Sequence, residues 1–353
     1  MATPRSAFGA SPQGGRRQRP GGAGSAAFAG LRRGVLAWLG IAAAAALLAP
    51  VAHAQDYPAR AIKLIVDGPA GGINDIWGRR YGQRIAEALK QTVVIENRVG
   101  ASGTLSAEAV AKSAPDGYTM YYGGLNPLVL FPGAGGQVRY DPAKDLTPIA
   151  LGNMGFPVLV TGTVFGAKTL AEAVAKAGST ERTCGTGGQA SLQHFACVQI
   201  ARSAKLKLMT VPYKAGALAV MDSAGGQVDF AVGFYSEIEP LISAGKVVPL
   251  AVFGPRRLPK FPNVPTMAEA GYPGIELPAF SGFYVPAGTS APIVARLHTE
   301  LVGAMKRPEM VEWLANAGGL YEGMNQEVFG EFYRREITKW KRLSAETGIR
   351  VEQ

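Results

Sequence analysis

Asp67 sits where a carboxylate can do chemistry. It closes the apolar run Leu64-Ile65-Val66 and opens the loop Gly68-Pro69-Ala70-Gly71-Gly72. Asn74 and Asp75 follow, where a helix N-cap belongs. A strand, a glycine loop and a helix start together make an anion seat, because the first N–H groups of a helix are unpaired and carry the positive dipole end. A carboxylate at Asp67 opposes an anionic ligand unless it is protonated or paired. The competing reading is an ordinary βα turn, with Asp67 turned aside to cap nearby backbone.

A second stretch has the same logic. Gly185-Thr186-Gly187-Gly188-Gln189-Ala190-Ser191 joins a strand ending near Cys184 to a helix from about Leu192. Gln189 and Ser191 can donate or accept hydrogen bonds, but the Lys-Ser/Thr of a P-loop is missing and the glycines do not match a dinucleotide fingerprint. His194 stands three residues after Ser191, so both can share a helix face. A Ser–His or Cys–His nucleophile pair would still need a third group to orient the base, and none is evident. His194 reads better as a cleft-lining or buried structural residue. The two cysteines, Cys184 and Cys197, are placed so that a bridge between strand and helix is sterically open, while the sequence leaves its formation undecided. His, Cys and acidic residues fall in no ligand spacing, so neither a metal nor a cofactor is expected.

The elements that position these residues alternate. Strands are expected at residues 64–66, 92–97, 118–122, 157–161, 183–184, 208–213, 228–232, 248–253 and 280–285, with helical stretches between most of them. The first helix carries Trp77, Tyr81, Ile85 and Leu89 on one face. Gly-rich turns end several strands, including Gly123-Gly124-Leu125-Asn126-Pro127 and Gly233-Phe234-Tyr235. Such alternation implies mainly parallel sheets covered on both faces, with ligands outside the carboxyl ends of the strands. A suspected crossing near 157–161 and a return near 280 divide the chain into 55–161 plus 280–353 and 162–279, two α/β domains with a hinged cleft between them.

The chain of 353 residues carries 36 Lys and Arg against 26 Asp and Glu. Six Arg and no acid lie in residues 1–54, so the remainder is only mildly basic and no nucleic-acid partner is implied. Arg32-Arg33, an Ala-rich apolar run from Val35 to Leu48, and Ala52-His53-Ala54 read as an export signal cleaved after about Ala54. The run is short for a membrane span. The expected location is the periplasm.

Many short motifs in order then resemble one family. They include Tyr57-Pro58, Pro69-Ala70-Gly71-Gly72, Val94-Ile95-Glu96-Asn97-Arg98, Ala114-Pro115-Asp116-Gly117-Tyr118-Thr119, Tyr140-Asp141-Pro142, Val211-Pro212-Tyr213-Lys214, Pro262-Asn263-Val264-Pro265-Thr266 and Pro286-Ala287-Gly288-Thr289. The series resembles the Bug, or TctC-like, extracytoplasmic solute receptors of tripartite tricarboxylate transporters. The resemblance covers nearly all of the chain after the leader. It implies a two-domain type II periplasmic-binding-protein fold and a non-enzymatic receptor that closes on a small, carboxylate-bearing ligand. The implied partner is a membrane permease or, alternatively, a sensor kinase, and the receptor is expected to be a monomer. Carried over, the implied ligand positions are Asp67, Gly68, Pro69, Ala70, Gly71, Gly72, Asn74, Asp75, Gly124, Leu125, Asn126, Gly187, Gly188, Gln189, Ser191, His194, Gly233, Phe234 and Tyr235. The chain departs from the pattern at four places. Asp67-Gly68 replaces a frequent Pro-Phe, Asn74 a Thr, Gly233 an Asp, and Phe280-Ser281 a Trp-Phe. These departures point to a larger or less charged ligand, with Asp67 meeting a hydroxyl or an amine.

Overall fold

The computed structural model describes residues 57–351. The leader and its cleavage site lie outside them. Two five-stranded sheets form the frame, in the orders β2-β1-β3-β10-β4 and β7-β6-β8-β5-β9. The first contains β1 (Ile62–Asp67), β2 (Val93–Arg98), β3 (Thr119–Gly124), β4 (Leu146–Gly155) and β10 (Ala279–Pro286). The second contains β5 (Val158–Gly162), β6 (Arg182–Thr186), β7 (Leu208–Pro212), β8 (Phe230–Gly233) and β9 (Val247–Val252).

Each sheet repeats one plan. β1 runs parallel to β2 and β3, and β6 runs parallel to β7 and β8. A single antiparallel strand follows in each: β10 between β3 and β4, and β5 between β8 and β9. The chain leaves the first sheet at Phe156-Pro157 and returns between β9 and β10. The carboxyl ends of β1, β3 and β4 therefore meet the amino end of β10, with Ser281 opposite Gly124 and Ala279 opposite Gly155.

Strand β1, flanked by β2 and β3, has Ile62, Leu64, Ile65 and Val66 buried, as expected where helices cover both faces. Helix α1 (Ile73–Leu89) packs Trp77, Tyr81, Ile85 and Leu89 against it. Their spacing of four keeps them on one stripe. Tyr81 meets Tyr122 and Phe283 edge-on, each at 5.5 Å. Leu297 and Leu301 of helix α7 (Ala291–Met305) complete this core. The other helices are α2 (Thr104–Ala111), α3 (Leu170–Ala177), α4 (Leu192–Ser203), α5 (Gly216–Ala224), α6 (Tyr235–Ser243), α8 (Pro308–Asn316) and α9 (Gln326–Thr347).

Several sequence expectations shift here. The longest strand, β4, was not anticipated, because Pro148, Gly152 and Gly155 punctuate it. Residues 157–161, assigned above to the first domain, pair with β8 and β9 in the second sheet. The crossing thus lies one step earlier than expected, between β4 and β5. Gly123-Gly124 is not a loop but the end of β3, and a π-helical turn, Asn126–Leu130, follows at once. Helix α6 starts at Tyr235, so Tyr235 belongs to the helix and not to the turn expected at Gly233-Phe234-Tyr235.

Candidate functional site

A cavity of about 410 Å³ opens between the two sheets. Asp67, Gly124, Asn153 and Gly155 bring the ends of β1, β3 and β4 to its wall, and Ala279, Phe280 and Ser281 bring the start of β10. Ile73, Asn74 and Trp77 come from α1, and Phe234, Tyr235, Ser236 and Glu237 from the start of α6. The strand ends are thus where a ligand is expected in an open α/β sheet.

Asp67 is held by three donors. Tyr121 Oη donates to Oδ2 at 2.8 Å, Asn74 Nδ2 to Oδ1 at 2.7 Å, and the Gly124 amide to Oδ2 at 3.4 Å. Ser281 Oγ donates in turn to Asn74 Oδ1 at 3.5 Å. This chain ties β3, α1 and β10 to the end of β1. Burial pushes the Asp67 carboxyl up to about 7, against the lowering effect of Tyr121, Gly124 and Asn74. The side chain neither turns aside nor caps the loop; it joins the cavity wall.

A second carboxylate stands across the cavity. Glu237 Oε2 accepts from the Phe234 amide at 2.8 Å at the start of α6. Burial raises its carboxyl above the usual range, and the Phe234 and Ala217 amides oppose that rise. Among the described residues, no Lys, Arg or His lines the cavity. Glu237 lies beside Gly233: a Cβ at Gly233 would lie 3.3 Å from Glu237 Oε2.

A second cavity of about 390 Å³ adjoins the first, sharing Leu125, Asn126, Phe234 and Ala279 with it. Gly187, Gln189, Ser191 and Gln193 line it from the β6–α4 junction, and Ser102 from the loop after β2. Among the described residues, none of the side chains that line it is charged.

Of the residues expected at the site, Asp67, Asn74, Gly124, Leu125, Asn126, Phe234 and Tyr235 line the first cavity, and Gly187, Gln189 and Ser191 the second. Gly68, Pro69, Ala70, Gly71 and Gly72 line neither. Their loop closes on itself, the Gly72 amide donating to Pro69 O at 3.0 Å, and its middle is exposed. The N-cap of α1 is Gly72, without a side-chain cap. Asp75 is spent locally: it is buried, accepts from the Gly71 amide at 2.8 Å and pairs with Arg79 at 2.9 Å. Gly188 also stays outside both cavities, in a turn at φ +116° that closes onto the Ser191 amide. Gly233 is buried in β8 beneath Val220 and Ile238. His194 Nδ1 accepts from the Ala190 amide at 3.1 Å, while Ser191 Oγ caps α4 by accepting from the His194 amide. Burial lowers the His194 pKa, and its Nε2 lies 3.4 Å from the Thr210 hydroxyl. Cys184 and Cys197 are joined by a disulfide, with Cα atoms 6.1 Å apart, so neither is a free thiol.

Glu237, Asn153 and Trp77 escaped the sequence reading as site residues. Trp77 matched the helix core stripe, and it does pack on Trp313 at 5.9 Å, yet it also reaches the cavity. Only the acid at the third position of α6 signalled Glu237, since that position normally serves the helix cap.

Residues 78–349 match the model of the tripartite tricarboxylate transporter family receptor. The chain belongs to this family. It is therefore a solute-binding receptor and not an enzyme, on the type II periplasmic-binding-protein fold. Protein BugT of Bordetella pertussis is 30% identical over 321 residues, covering 90% of this chain and 98% of BugT. Rpa4515 of R. palustris, solved with adipate, is 29% identical at a TM-score of 0.71, covering 84% of this chain and 99% of its own. MatC of Rhodopseudomonas palustris, solved with bound malate, is 30% identical at a TM-score of 0.67, covering 81% and 99%. The receptors of this family belong to the periplasmic binding proteins.

Proposed function

We propose that this receptor closes on a small organic acid that also carries a hydroxyl or an amine, and that this donor faces Asp67. The observation that carries the reading is the Asp67 carboxylate at the cavity wall, fixed by Tyr121, Asn74 and Gly124, with no basic side chain lining that cavity among the described residues. A carboxylate of four acceptor positions, three of them used, has room for one more donor. The relatives solved with adipate and with malate support the organic-acid half of the reading.

Closure is a hinge motion. The two crossings, at Phe156-Pro157 and between β9 and β10, are where the sheets pivot. A ligand touching both walls stabilises the closed form by its differential affinity for that form. The closed receptor then delivers its ligand to the membrane permease of a tripartite transporter. The protein reaches the periplasm through the leader, removed after about Ala54, and N-terminal sequencing of the exported chain tests that site.

The binding reading is tested by thermal shift of the exported form against matched plain, hydroxylated and aminated carboxylates, with Asp67→Ala as control. A ligand at a hundredfold excess over Kd adds about 2.7 kcal/mol. Hits among hydroxy or amino acids that vanish in the variant support it. Equal response of wild type and variant would overturn it.

A further inference from the structure

A third cavity, of about 270 Å³, lies at the amino ends of β6 and β8, whereas the two described above lie at the carboxyl ends of these strands. Phe165 lines it from the turn after β5, Lys176 from the end of α3, Arg182 from the start of β6 and Ser223 from the last turn of α5. It shares no lining residue with either of the others.

Two buried donors in this cavity lack an acceptor. Ser223 is 0% exposed, and its hydroxyl has no hydrogen-bond partner among the described residues. Arg182 Nε is buried and unpartnered as well. A helical serine is able to bond the carbonyl one turn back, and Ser223 does not. Each such buried group is costly, and two in one cavity point to an acceptor that completes them.

The surroundings define that acceptor. Arg182 engages its other nitrogens within the protein: Nη1 donates to Asp229 Oδ1 at 3.3 Å and Nη2 to Lys176 O at 3.4 Å. Asp229 also lines the cavity, and its Oδ2 is taken up by the Thr183 amide at 2.8 Å and Thr183 Oγ1 at 3.0 Å. Phe165 underlies both cations, with Arg182 Cζ 5.5 Å and Lys176 Nζ 5.6 Å from its ring centroid. Lys176 and Arg182 against Asp229 leave the lining one positive charge in excess. The carbonyls that end α3 and α5 oppose an anion, but Lys176 O already accepts from Arg182, and Ser223 O from the Gly226 amide at 3.1 Å. What remains is Ser223 Oγ, Arg182 Nε and Lys176 Nζ. Three donors call for an acceptor with more than one oxygen, and charge strengthens each bond.

We propose that this cavity is a second ligand site, remote from the cleft, for a small oxyanion held by Ser223, Arg182 and Lys176. It stands independently of the reading of Asp67. An anion seated there ties the ends of α3 and α5 to the start of β6.

The test is calorimetry and amide NMR on the exported, disulfide-bonded protein, with sodium sulfate as the probe and sodium chloride at equal ionic strength as the control. Sulfate should shift the Gly166 and Gly226 amides saturably and leave those of Gly124 and Phe234, in the cleft, in place. Ser223→Ala and Lys176→Met should each weaken sulfate about tenfold, while Lys176→Arg retains it. The amide spectrum of each variant shows that it is folded. Shifts reproduced by chloride would overturn the proposal, as would sulfate affinity unmoved by both Ser223→Ala and Lys176→Met. Weakening by Lys176→Met with Ser223→Ala behaving as wild type would also overturn it, since it would show attraction to an exposed lysine and no seat in the cavity.

Discussion

Tyr121 reaches Asp67 by folding over its own strand: its hydroxyl donates to Asp67 Oδ2 at 2.8 Å across the bare backbone of Gly123. A Cβ at Gly123 would lie 2.1 Å from Tyr121 Oη and 2.6 Å from Asp67 Cγ. Residues two apart on a strand point to one face, so Gly123 lies directly under the Tyr121 ring. Position 123 must therefore lack a side chain for the carboxylate to be held.

Gly123→Ala is expected to displace both side chains. The overpacking should cost about 1–3 kcal/mol of stability, and ligand affinity should fall with it. Urea unfolding and calorimetry on the same preparation check the two effects together.

The raised Asp67 carboxyl makes a pH prediction with a definite sign. Its folded value of about 7 lies above that of an unfolded aspartate. Between the two values the folded state binds more protons, so its contribution to stability declines as pH rises from the ordinary carboxylate range to about 7 and is flat beyond. Subtracting the stability profile of Asp67→Asn from that of wild type should leave this decline. A flat difference would contradict it. Binding of an amine to the ionised form should show the opposite trend, strengthening up to about pH 7.

How much of this was legible in the sequence depended on how local each cause was. The helix stripe of Trp77, Tyr81, Ile85 and Leu89 announced α1, because a period of 3.6 is a local property. A ligand was expected outside the carboxyl ends of the strands, and Asp67 and Gly124, at the ends of β1 and β3, do share a cavity wall. β4 was hidden because Pro148 and two glycines break its pattern, while its pairing with β10 comes from residues more than a hundred positions away. Gly123-Gly124 looked like a loop for the same reason: what demands glycine there is Tyr121 folding back and the carbonyl of Phe280, 1.8 Å from a Cβ at Gly124. The loop Pro69 to Gly72 drew attention by its composition, yet it serves its own turn. Glu237 was missed because its carboxylate serves the cap of its own helix, accepting from the Phe234 amide, and a capping acid is not told from a cavity-lining one by sequence.

The bridge between Cys184 and Cys197 staples β6 to α4. Its sequence separation is 13 residues, and a loop of that size is worth about 3 kcal/mol. The double variant Cys184→Ala, Cys197→Ala should melt several degrees lower than the oxidised protein. Thiol titration of the unfolded, unreduced chain should find no free sulfhydryl.

Glu336 is 2% exposed in α9, accepts from Trp340 Nε1 at 3.1 Å and pairs with Lys339. Burial lowers the Lys339 pKa, and Glu336 opposes that drop. Removing one partner of such a pair leaves the other in a poor environment, so Glu336→Ala should cost about 3 kcal/mol. Chemical denaturation reads this directly, and ligand affinity should not change, since α9 lies outside the cavity wall.

The most direct test of the account is a calorimetric cycle on Asp67. One arm compares a bound hydroxy or amino acid with its analogue lacking that group. The other compares wild type with Asp67→Ala. The account predicts a coupling of about 1.4 kcal/mol or more, a tenfold effect that appears only when both the donor and the carboxylate are present. A coupling of zero would mean that Asp67 does not read the ligand.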